Sequence, residues 1–148
     1  MYIVNKNTKA IFSQGGASPY RSQILDVSGT EFSVYNPYRI ISNSCLLNLS
    51  SIEGRKTAVK HILGTSSKIP IPVNPKEGIY LFPTASIRSS DCAWFAFYQI
   101  ESYVPHDGKT YVAFKDGTYA YADISFMAFD RQYKKTSHVI ARFHQHII

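Results

Sequence analysis

The first third of the chain reads as β. Tyr2–Val4 and Thr8–Phe12 flank Asn5-Lys6-Asn7, which predicts a hairpin turn. After the loop Gln14-Gly15-Gly16-Ala17-Ser18-Pro19, Arg21–Val27 and Thr30–Tyr35 flank Ser28-Gly29, a two-residue hairpin signal. Asn36-Pro37 then breaks the ladder, because proline has no N–H to give. From Ser42 to Gly64 the period changes. Cys45, Leu46, Leu49 and Ile52, then Val59, Ile62 and Leu63, recur at spacings of three and four, which predicts helix. Gly54 interrupts the pattern and predicts two short helices or a bent one. Gly64 is the stop.

Ile69-Pro70-Ile71-Pro72-Val73-Asn74-Pro75 cannot be helical, and each proline pushes its predecessor into extended backbone. This is an edge segment or a polyproline-like strap. Gly78–Phe82 reads as a short strand stopped by Pro83. Cys92–Val104 reads as one long aromatic strand, followed by Tyr111–Phe114 and Tyr119–Ile124. Their connectors contain Asp107-Gly108 and Asp116-Gly117, so a three-stranded antiparallel meander is expected. Phe126, Phe129, Tyr133, Thr136, Ile140, Phe143 and Ile147 are spaced alternately by three and four. They form the apolar stripe of a long helix, with Ser125 as its N-cap. The expected fold class is therefore α+β: antiparallel hairpins and a meander, a central short helical segment and a long C-terminal amphipathic helix. The expected organisation is a single domain over residues 1–148.

Charge changes the picture by its position. The chain carries 16 Lys+Arg and 10 Asp+Glu. Gly54 to Lys76 holds Arg55, Lys56, Lys60, Lys68 and Lys76 and no acid. Arg131 to Ile148 holds Arg131, Lys134, Lys135 and Arg142, again without an acid. Outside these two segments acids outnumber cations, so the basicity is local. Such a surface suits a polyanion, although a solvated basic surface remains the plainer alternative. Neither segment has the Trp/Leu-rich apolar face of a membrane-surface helix, and no membrane partner is expected. The chain has no apolar run long enough to span a bilayer and no signal-like N-terminus. Two cysteines do not make a disulfide framework.

Catalytic and cofactor chemistry finds little support. Cys45 and Cys92 lack the partner spacing of a zinc site, and their apolar neighbours suit buried structural cysteines. His144 and His146 diverge on a helix. There is no Gly-x-Ser-x-Gly elbow and no Gly-rich phosphate loop. The chain is read as a non-enzyme that needs no metal and no cofactor. Gly54-Arg55-Lys56 places two cations after a flexible position, and arginine gains from the narrow minor groove of A/T-rich DNA. An exposed helix start with solvated cations explains the same residues. The aromatic strands invite a stacking platform for single-stranded nucleic acid, but cross-strand packing explains Tyr111, Tyr119 and Tyr121 equally well.

The ordered set Ser44-Cys45, Gly54-Arg55-Lys56, Pro70-x-x-Val73-x-Pro75, Ile79-x-Leu81-Phe82-Pro83-Thr84 and Cys92-x-Trp94 resembles the ComK family of competence transcription factors. The resemblance covers about Tyr2 to Phe143, and Leu-Phe-Pro-Thr followed by Cys-x-Trp is its most specific part. It implies a bacterial cytoplasmic, nucleoid-associated activator of DNA-uptake genes. Such a protein binds paired A/T-rich promoter boxes mainly through the minor groove, as a homo-oligomer, and helps RNA polymerase engage. The expected DNA-binding residues are Arg55, Lys56, Lys60, Lys68, Arg131, Lys134, Lys135 and Arg142. Better-known members continue into a tail used for adaptor-directed proteolysis, whereas this sequence ends at Ile148, so the resemblance leaves adaptor control open. The alternative reading is a non-activating module that forms mixed oligomers with a longer paralogue.

Overall fold

The computed structural model describes residues 1–65, 67–87 and 89–146. The chain order is β1 (Thr8–Ser13), β2 (Ser22–Asp26), β3 (Gly29–Ser33), α1 (Pro37–Leu47), α2 (Ile52–Leu63), β4 (Ile71–Asn74), β5 (Ile79–Pro83), β6 (Ala93–Ala96), β7 (Ile100–His106), β8 (Lys109–Phe114), β9 (Tyr119–Ala122) and α3 (Phe126–His146). The α+β class and its parts are as the periodicity predicts.

Strands β1 to β6 form one antiparallel sheet in the order β3-β2-β1-β6-β5-β4. Both of its faces are covered, so the inner strands β5 and β6 read as unbroken apolar runs. The pleat sends alternate residues to opposite sides. Ile11, Ile24 and Trp94 join a core with Ile40, Ile41 and Cys45 of α1 and Ile52 and Val59 of α2. Ala10, Phe82, Ala93 and Phe95 join a second core with Val112, Phe114 and Ala122 of the meander. The meander β7-β8-β9 thus lies across the sheet from α1 and α2. Helix α3 spans both cores: Phe129 enters the second, Val139 and Ile140 the first.

Several local expectations shift. Tyr2–Val4 forms no strand. It is tied down by Val4 N–H donating to Ser44 Oγ at 2.9 Å and by the Tyr2 hydroxyl donating to Asp26. The helical region starts at Pro37, not Ser42. Asn36-Pro37 ends the strand and also begins a helix: Asn36 accepts from Arg39 N–H at 2.8 Å, and Pro37 sits where no N–H is needed. The interruption falls at Asn48–Ser51 rather than at Gly54. Leu49 takes φ 61° and ends α1, and Ser51 caps α2 by accepting from Gly54 N–H at 3.0 Å. A Cβ on Gly54 would stand 3.0 Å from that Ser51 Oγ, so the glycine makes room for the cap. Gly64 stops α2 in the left-handed region, as expected. Ile147 of the predicted stripe lies outside the described residues.

The Cys92–Val104 strand is corrected. A 3₁₀ turn at Phe97–Gln99 divides it, and its halves belong to different sheets. β6 lies inside the large sheet and β7 at the edge of the meander. The proline-rich segment is an edge strand, β4, with Ile71, Pro72 and Val73 all buried. The opposite edge, β3, is exposed over most of its length.

Candidate nucleic-acid interface

On α2, Ile52, Arg55, Lys56, Val59 and Leu63 fall on one side of a 3.6-residue helix. Ile52 and Val59 of that side are buried in the core. Arg55 and Lys56 therefore flank the packed face and are half-buried. Arg55 Nε is enclosed and, among the described residues, has no hydrogen-bond partner; the Tyr80 hydroxyl is in the same position. Burial pushes the Cys45 thiol up to about 11 and the Tyr80 hydroxyl up to about 12, and the Arg55 charge partly opposes both. Lys56 pairs with Glu53 at 3.5 Å, and Glu53 also accepts from the Tyr38 hydroxyl at 2.9 Å. Both contacts hold the Glu53 carboxyl below its ordinary value. Lys60 is exposed in the last turn, where a cation suits the helix dipole.

The two basic segments meet beyond α2. Gln132, buried on α3, donates through Nε2 to Lys68 O at 2.9 Å and Pro83 O at 2.8 Å. It clamps the loop after α2 to the end of β5. Lys135 Nζ donates to Ser67 O at 3.2 Å. Lys135 is lowered from its ordinary value first by burial, then by the charges of Lys68 and Arg131. Lys68, Arg131 and Lys135 thus form one cationic cluster, and among the described residues none of them is in an ion pair. Lys134 is bound to Asp130 at 2.8 Å, and Asp130 also accepts from the Tyr103 hydroxyl at 2.7 Å. Arg142 is half-buried further along α3. Lys76 lies in a 3₁₀ turn, Pro75–Glu77, whose Glu77 pairs with Lys6 at 2.8 Å.

A cleft of about 540 Å³ opens beside Lys56. Its walls include Arg21, Asn36, Glu53, Ser89 and Cys92, and Trp94 contributes to the floor. Arg21 was not among the sequence candidates. It lies outside both basic segments, so a count of charge along the chain passes over it.

The tyrosines show both features weighed in the sequence. Tyr111, Tyr119 and Tyr121 contact one another across β8 and β9, with ring centroids 5.1 to 5.8 Å apart. They also form the outer face of the meander, with His106 at 5.3 Å from Tyr121. Lys109 on that face stands 3.7 Å from Asp123. Both cysteines are buried and unpaired. Among the described residues no group of three or more His, Cys, Asp or Glu could hold a metal ion, and no helix is long and apolar enough to cross a membrane.

A family model described as ComK protein matches residues 1–148. The competence transcription factor of Bacillus subtilis (strain 168) is 28% identical over 147 residues, covering 99% of this chain and 77% of that relative. No solved structure matches.

Proposed function

The chain belongs to the ComK family, and from that premise we propose that it is a DNA-binding transcription factor of competence rather than an enzyme. The finer reading is an activator that recognises A/T-rich promoter boxes largely through the minor groove, as a homo-oligomer that assists RNA polymerase. The observation that carries it is the Lys68–Arg131–Lys135 cluster. Folding holds three like charges together, none of them in an ion pair among the described residues and the neighbouring Asp130 taken by Lys134, an arrangement suited to a polyanion. Lys60, Lys134 and Arg142 add phosphate contacts around it. Arg55 and Lys56 complete the set, with Arg55 reaching the groove through its terminal Nη groups because Nε is enclosed.

The test is a salt-dependent titration on A/T-box duplexes and on a G/C-matched control. Each phosphate-contacting lysine removed should weaken binding on every sequence and lower the salt slope by about 1. Arg55→Ala should relax A/T preference; unchanged preference refutes the minor-groove assignment. Equal affinity for both duplexes refutes sequence selectivity. Capture of a longer paralogue without binding to either duplex points instead to the non-activating module.

A further inference from the structure

The cleft beside α2 has the composition of a phosphate-contacting surface. Arg21 and Lys56 supply cations, and Ser13, Gln14, Asn36 and Ser89 supply short polar groups. Arg21 is exposed and, among the described residues, donates through Nη1 alone, to Ser18 O at 2.6 Å and Tyr20 O at 3.0 Å. The first turn of α1 opens on the cleft through Pro37 and Tyr38 and carries no acid of its own; Asn36 caps it, and the one carboxylate beside it is Glu53, held by the Tyr38 hydroxyl at 2.9 Å. The cleft also lies near the cationic cluster. Gln132 ties Lys68 O to Pro83 O, and the next residue, Thr84, accepts from Ala93 N–H beside the wall residue Cys92. Glu53 is the discordant group. It occupies the Lys56 ammonium at 3.5 Å and would repel an incoming anion.

We propose that this cleft is a phosphodiester seat, taking a backbone phosphate of bound duplex between Arg21 and Lys56. The inference rests on the DNA-binding reading and adds Arg21 to it. It extends the cationic surface from the Lys68–Arg131–Lys135 cluster across the α1–α2 side of the sheet. Lys56 exchanges its carboxylate partner for the phosphate, so Glu53 acts as a built-in competitor. The one acid and the two cations of this cleft then have opposite effects on affinity.

The experiment measures duplex affinity against salt for the wild type, Arg21→Ala and Glu53→Gln, with Tm as a check that each variant folds. Arg21→Ala should weaken binding about threefold to tenfold and reduce the salt slope by about 0.9, one phosphate contact. Glu53→Gln should tighten binding about twofold or more, the size of a released exposed ion pair. Emission from Trp94, the chain's single tryptophan and a buried residue of the cleft lining, should shift when duplex is added to the wild type, and Arg21→Ala should need about threefold to tenfold more duplex for the same shift. Salt-dependent binding by the wild type with both variants unchanged refutes the seat and leaves the DNA-binding reading standing. Absence of any salt-dependent duplex binding by the wild type refutes both. An emission shift with inorganic phosphate or AMP at micromolar concentration, lost in Arg21→Ala, assigns the cleft to a free phosphate ligand and overturns the duplex assignment.

Discussion

Lys9 shows how one residue can join two sheets. It projects from β1 with its side chain only 7% exposed, and its Nζ lies 2.9 Å from Asp116 and 2.8 Å from Thr118 in the β8–β9 turn. The ring of Phe114 lies beneath it at 5.5 Å. Hydrogen bonds from Thr118 and then Lys9 hold the Asp116 carboxyl down to about 2. A carboxyl depressed in the folded state contributes stability above its ordinary value near 3.8, and that stability is lost as pH falls toward 2. Thermal melts of the wild type should therefore drop between pH 4 and 2, and Asp116→Asn should flatten that part of the curve. At pH 7 the same variant leaves a buried ammonium poorly neutralised and should cost about 3 kcal/mol. Leu49 is a contrasting case. Its side chain is 97% exposed and its φ is 61°, so it holds left-handed backbone with no packing in return. Leu49→Gly should raise stability by about 0.5–1 kcal/mol in urea melts, the left-handed strain less the entropy of glycine.

At the scale of elements, α2 depends on a cap and a stop separated by three turns. Ser51→Ala removes the acceptor for Gly54 N–H and should cost about 1 kcal/mol in urea denaturation. The tilt of α2 also decides which cations reach solvent, so the same loss should weaken duplex binding through misplaced Lys56 and Lys60. Periodicity in the sequence located Ile52, Val59 and Ile62 on one helical face. Applied to the charged residues as well, that spacing would have placed Arg55 and Lys56 beside them. The start of α1 was hidden for a different reason. Asn36-Pro37 is both a strand stop and a helix start, and local chemistry alone cannot say which function dominates. The division of Cys92–Val104 was hidden because Ala96-Phe97-Tyr98-Gln99 has strand-like composition, and the 3₁₀ turn there follows from tertiary packing of Phe97 on Tyr133 at 4.4 Å.

Across the whole molecule, α3 is the shared wall of two cores. Phe129 meets Phe82, Phe95 and Tyr103 at centroid distances of 5.0 to 5.3 Å. Phe129→Ala should cost about 3–5 kcal/mol. Calorimetry should show one transition in the wild type, because neither layer completes its core without this helix. The α3 stripe, the hairpins and the meander were legible because each rests on local periodicity and turn chemistry. The cationic cluster was legible only as two separate segments. Their meeting depends on the Gln132 clamp, a contact 64 residues apart in sequence. Arg21 was not legible at all, since its place in the cleft is set by the sheet and the helices together.

The two borders of the six-stranded sheet differ in what they offer another strand. β4 is buried and contains Pro72, which has no N–H to give. β3 is exposed, with Phe32 and Tyr20 in contact at 5.6 Å. A sheet with one competent border has a single valence. Strand addition through the six-stranded sheet therefore ends at a pair, because the β4 border offers a second neighbour no matching edge.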